Sequence, residues 1–127
     1  MKTFRPVSIK LFIIVILFLL QGFMPQAVFG HAFPDHSEPK VGATVEYPPK
    51  LIRIWFDGAL EPVFSTISVK DSGGNIVDRG DGRVNPSDVT ILEVSLPALS
   101  PGIYRVIWNV VARDGHRTMG DYTFEIK

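Results

Sequence analysis

Beyond residue 30, apolar and polar positions alternate in short runs separated by turn residues. Leu51-Ile52-Arg53-Ile54-Trp55-Phe56 lies between Pro48-Pro49 and Asp57-Gly58. Such a run, bounded by proline and Asp-Gly, reads as a strand. Phe64 to Lys70 alternates again and predicts Phe64, Ile67 and Val69 near a core. Asp71 to Asn75 is a turn cluster, and Ile76-Val77 starts a short strand. Gly80 to Pro86 reads as a polar loop. Val89 to Leu96 is a further strand, with Ile91 and Leu92 breaking strict period two. Pro101-Gly102 turns the chain into Ile103 to Ala112, Asp114-Gly115-His116 interrupts, and Asp121 to Lys127 closes the domain. No amphipathic helix of useful length and no internal repeat is present. About seven strands at this spacing predict an all-β, immunoglobulin-like β-sandwich or Greek-key barrel. Leu99 to Tyr104 resembles the start of a late sandwich strand, where a tyrosine bonds back to the chain at the sheet corner.

The first thirty residues follow another pattern. Lys2, Arg5 and Lys10 lead into the unbroken apolar run Leu11 to Leu20. Gln21-Gly22 and Pro25 break it, and Val28-Phe29-Gly30 ends on a small residue. A positive start, a ten-residue apolar stretch and a small-residue exit predict a cleaved secretory signal peptide over residues 1–30. A spanning helix needs about 20 apolar residues, more than this run offers. Cleavage after Gly30 would make His31 the first residue of the exported protein; a cut after Ala32 also satisfies a small-x-small rule. Residues 31–127 then form one domain, placed in the periplasm or another extracytoplasmic space.

Composition narrows the function. There is no cysteine, so disulfides, thiolate metal sites and a cysteine nucleophile are excluded. The core must rest on aromatics, among them Trp55, Phe56, Phe64, Trp108 and Phe124. The thirteen basic and thirteen acidic residues cancel over the whole chain. Three of the basic ones precede residue 31, which leaves ten against thirteen acidic, a small negative excess. Nucleic acid is therefore not an expected partner. There is no glycine-rich phosphate loop and no Gly-x-Ser-x-Gly elbow, and a Ser–His nucleophile is not expected. An enzyme is not expected.

The informative chemistry lies in His31, His36 and His116. A histidine at a free N-terminus offers two nitrogens, its α-amine and its ring Nδ1, which close a six-membered chelate. The amine has a reference pKa near 7.7–8.0, so a metal can displace its proton around neutral pH. Asp114 and His116 flank Gly115; in an extended chain two such side chains share a face. One imidazole and one carboxylate added to the His31 chelate give three nitrogens and one oxygen, a mixed set suited to Cu(II). The competing reading of Asp-Gly-His is an ordinary turn with a solvated histidine. His36, five residues after His31, would face away from it in a regular strand and belongs to the surface; Pro34 keeps an auxiliary metal role open. Asp57 reads first as a turn-starting residue, and second as an acceptor for a ligating ring N–H.

These features together resemble the CopC family of periplasmic copper-binding proteins. The resemblance rests on His31-Ala32, Glu38 to Ala43, Pro48 to Phe56, Gly102 to Trp108, Val110 to His116 and Gly120 to Phe124. It implies an immunoglobulin-like fold with one Cu(II) per chain, held by His31, His116 and Asp114. It implies a copper carrier or buffer in homeostasis, resistance or transport, a monomer that meets a separate membrane copper transporter. Some members also bind Cu(I) through a methionine-rich loop; here Met119 is the single methionine after residue 30, so that site is not expected. The other function classes are a metal-free adhesion or assembly module and a histidine-brace copper oxygenase.

Overall fold

The computed structural model describes residues 31–127; the signal peptide expected over residues 1–30 lies outside the described residues. Eight strands build two four-stranded sheets. They are β1 (Pro34–Glu38), β2 (Thr44–Val45), β3 (Leu51–Phe56), β4 (Thr66–Lys70), β5 (Arg83–Val84), β6 (Ile91–Ser95), β7 (Gly102–Val111) and β8 (Arg117–Ile126). One sheet runs β1-β3-β6-β5 and the other β2-β8-β7-β4. The chain changes sheet after β1, β2, β3, β4 and β6, which makes an immunoglobulin-like sandwich of two open sheets and not a closed barrel. The two-residue strands β2 and β5 are additions to the expected set, and the expected Ile76-Val77 strand drops out of it, so eight strands stand against about seven. Among the described residues no helix is long and apolar enough to cross a membrane.

Alternation explains the core. Ile52, Ile54 and Phe56 of β3 point inward, as do Ile67 and Val69 of β4, while their neighbours are less buried. From β7 and β8, Tyr104, Val106, Trp108, Val110, Tyr122, Phe124 and Ile126 meet them. β7 and β8 form the long hairpin of the molecule, paired without a break from Gly102↔Ile126 to Val111↔Arg117. Gly120 is required within it, because a Cβ there would lie 2.6 Å from the Trp108 ring. The edge of that ring is turned to Phe56 at 5.4 Å and 80°.

The expected tyrosine corner is present: the Tyr104 hydroxyl donates to the Ser100 carbonyl at 2.6 Å. Tyr104→Phe removes that bond and keeps the ring. It is expected to cost about 1 kcal/mol, read as a shift of the urea midpoint without a change in slope.

Four expectations fail. Phe64 is 60% exposed, because it ends a single 3₁₀ turn, Pro62–Phe64, that delays β4 until Thr66. Trp55 points to the outer face of its sheet and stacks on His36 at 4.4 Å. The Ile76-Val77 strand is reduced to one bridge between Lys70 and Ile76, with Val77 packed on the core. The loop Gly80 to Pro86 contains β5, whose Val84 is buried opposite Leu92.

β5 also delivers Arg83 to the one buried carboxylate of its sheet. Glu93, 5% exposed, lies between Arg53 at 3.1 Å and Arg83 at 3.3 Å, with Asn85 at 3.2 Å. Burial pushes its pKa up, but the bonds from Asn85, Arg53 and Arg83 together outweigh it, and the net shift is downward. A lowered folded pKa contributes stability above the ordinary glutamate value of 4.5, and that contribution is lost as pH falls through the folded pKa. Glu93→Gln should therefore be less stable than the parent at pH 7. The gap should narrow in urea melts taken progressively below pH 4.5.

Candidate metal centre

At one end of the sandwich the chain start meets the turn between β7 and β8. The turn follows from sequence. Ala112 closes β7 by a bridge to Leu60, and Gly115 takes φ +89°, which favours glycine. The Ala112 carbonyl accepts from the Gly115 N–H at 2.9 Å, and the Ala112 N–H donates to His116 O at 2.8 Å. Asp114 Oδ1 accepts the His116 backbone N–H at 3.0 Å. Asp114 and His116 are thus brought together by an Asx-type turn, not by the alternation of an extended strand that the spacing predicted.

Three separate contacts place the other partner. Ala32 is completely buried and anchors the chain start in the core. The Thr118 hydroxyl, on β8, donates to the Ala32 carbonyl at 2.7 Å. The Phe33 N–H donates to Asp57 Oδ1 at 2.7 Å, and the Phe33 carbonyl accepts from the Asp57 N–H at 2.9 Å. Residues 31–33 therefore lie at the mouth between the sheets. His31 reaches the late turn through this segment and not through strand pairing, since β1 and β8 belong to different sheets.

The result is a compact donor group. One ligand atom from each of His31, Asp114 and His116 lies within 4.8 Å of the others. The His31 and His116 rings are 4.3 Å apart at 57°. Asp114 Oδ2 stands 3.1 Å from His116 Nδ1. That oxygen is shut off from water, although both rings remain open to solvent. The backbone N–H of His116 holds the Asp114 carboxyl below the usual range; burial opposes this, and the His116 and His31 rings reinforce it. A carboxylate oxygen withdrawn from water and facing two imidazoles is placed for a cation. Borderline nitrogen donors with a single oxygen fit Cu(II) in kind.

The remaining candidates separate from the group. His36 faces outward on β1, bonded to Asp35 at 2.9 Å and stacked on Trp55. Met119 points from the outer face of β8 opposite Asn109 and is 65% exposed. Asp57 holds the Phe33 backbone instead of a ring N–H. Sequence reading missed Thr118 altogether. A threonine two residues past a candidate ligand signals nothing until the fold shows which carbonyl it meets.

Residues 35–127 match the profile of a family described as the CopC domain. Protein YobA of Escherichia coli K12 is 33% identical over 110 residues, covering 86% of this chain and 89% of YobA. The copper transport protein CutJ of Bacillus subtilis 168 is 33% identical over 115 residues, 90% of this chain but 21% of CutJ. Among crystal structures, CopC from Methylosinus trichosporium OB3b superposes with a TM-score of 0.68 at 32% identity, covering 76% of this chain and 94% of that one. PcoC, a methionine-rich copper resistance protein from E. coli, gives 0.66 at 27% identity, covering 77% and 100%.

Proposed function

The chain belongs to the CopC family, and from that premise we propose that it is an extracytoplasmic copper-binding protein that carries or buffers one Cu(II) per chain in copper resistance or transport. The observation that carries this reading is the meeting of His31, Asp114 and His116, with a carboxylate oxygen turned from water toward two imidazoles. In the proposal, export removes residues 1–30 and frees the His31 amine. That amine and the His31 ring chelate the ion, the His116 ring supplies a third nitrogen, and Asp114 an oxygen. The carboxylate also offsets charge: a dication on two neutral rings and an amine keeps its full charge, and Asp114 halves it. Half of the donors, those of Asp114 and His116, sit on a turn held by its own backbone bonds, so that half needs little ordering on binding. Both rings are exposed, which suits a site that takes up and hands over its cargo at the surface. The partner in that exchange is, in this proposal, a separate membrane copper transporter.

The test is electron paramagnetic resonance on the exported protein titrated with Cu(II). One equivalent should give a tetragonal, nitrogen-rich signal, unchanged in Met119→Leu because that thioether faces away from the donor group. An intact mass that begins at Phe33 would remove the chelate and with it the proposal. Turnover of a polysaccharide with ascorbate would move the reading to an oxygenase.

A further inference from the structure

A chelate at a chain terminus has an inherent weakness. Terminal residues fray unless they are tied down, and ordering each backbone residue costs roughly 1–2 kcal/mol. A copper site built on His31 must either meet that cost on each binding event or have it met in advance by the fold. The structure holds the terminus from two sides. Thr118 Oγ1 donates to the Ala32 carbonyl, one peptide beyond the chelating residue, across 86 positions of sequence. Asp57 bonds Phe33 twice, by its carboxylate to the N–H and by its own N–H to the carbonyl. Ala32, between the two holds, is fully buried. Gly58 completes the seat: a Cβ built there would stand 3.6 Å from the His31 carbonyl oxygen.

Thr118 has a further property that Asp57 lacks. It stands on β8, two residues beyond His116, and β8 is paired with β7 from its first residue. The strand that carries this hydroxyl begins at the residue directly after His116, so the late-turn ligand and the hold on the chain start belong to one hairpin.

We propose that Thr118, seconded by Asp57, is a positioning residue of the copper site, which fixes the His31 backbone so that chelate and His116 are pre-arranged. This rests on the copper reading above and adds to it a determinant of affinity that touches no metal. The side chains act through Ala32 and Phe33, and the gain is the entropy of an end already ordered.

The experiment uses the exported chain with Thr118→Val, which removes the hydroxyl at nearly constant volume, and Thr118→Ser, which restores it. Cu(II) dissociation constants are measured by competition with a chelator of known affinity, with the spectrum of each copper-loaded variant and the melting point of each metal-free one. Loss of one hydrogen bond's worth of pre-ordering should weaken binding about five- to tenfold in Thr118→Val. Its spectrum should broaden or split into two species, and Thr118→Ser should return both towards the parent. A Thr118→Val protein that melts earlier but binds Cu(II) with the parent affinity and spectrum overturns the inference, because the bond then braces only the fold. If Thr118→Val does not fold, Asp57→Ala decides by the same two readouts. A parent protein without a nitrogen-rich Cu(II) signal overturns the copper reading itself and this inference with it; a parent that has the signal confines any failure to the inference.

Discussion

One extra residue ahead of His31 is expected to weaken Cu(II) binding by more than about 100-fold, and His116→Ala to do similar damage. Losing a mere outer partner of a metal ligand costs about 10- to 100-fold, and both changes remove a donor nitrogen itself. The extension converts the amine to an amide, which is neither free nor basic, and opens the six-membered ring of the chelate. His116→Ala removes the only donor nitrogen on the late turn. Asp114→Ala should cost less, because it leaves three nitrogens and takes away one oxygen and a charge. None of these should unfold the protein, since His31 and His116 are exposed and contribute little to core packing. Competition titration of the four proteins gives the order. His36→Ala is the control, its ring being committed to Asp35 and Trp55 on the outer face of β1. Loss of binding in His36→Ala with retention in His116→Ala would place the metal on the first strand.

Phe124→Ala is expected to have the largest effect on stability. Phe124, on β8, is 1% exposed and stacks on Tyr104 at 5.7 Å. Truncating a buried phenylalanine typically costs about 3–5 kcal/mol, partly transfer and partly the cavity left behind. A domain of this size has about 5–15 kcal/mol in all, so the variant should be near or past the limit of folding at 37 °C. Relaxation of the cavity is opposed by β7 and β8, which are locked in register on both sides of the ring. Urea unfolding followed by tryptophan fluorescence measures the loss. A change under 1 kcal/mol would mean that the two sheets close over the gap.

The sandwich was legible where burial follows period two without interruption, as in Leu51 to Phe56 and Ile103 to Val110. It was obscured wherever a short local structure shifted the phase. The 3₁₀ turn at Pro62–Phe64 takes Phe64 out of the strand count, and nothing in Phe-Ser-Thr-Ile distinguishes the two cases. Trp55 continues the apolar run, yet strand geometry turns it outward, where His36 covers it. β5 was hidden because a pair as short as Arg83-Val84 has no period to read; its reality lies in a buried glutamate forty positions from one of its arginine partners. β8 begins at Arg117, four residues before the sequence reading put it, because Arg117 to Gly120 are exposed or half-buried and carry no apolar alternation. As for the site, His31 and Asp-Gly-His were visible because their chemistry is unusual as residues. That Asp114 and His116 converge by a turn, and that the chain start is held by Thr118 and Asp57, depends on tertiary register, which no local pattern encodes.

In the exported form proposed above, which begins at His31, the segment ahead of β1 is three residues long, and a kinetic consequence follows from that proposal. Peeling residues 31–33 away breaks the Thr118–Ala32 bond and the bonds to Asp57 and uncovers one alanine, while β1 stays paired with β3 from Pro34 onward. Opening of this kind sits at the low end of the free-energy range for local unfolding, far below loss of the sandwich. An ion held partly by that segment can be surrendered by a small excursion of the chain end. Its residence time is then set by a hinge of a few residues, while the folded body that presents it keeps its shape for the next partner.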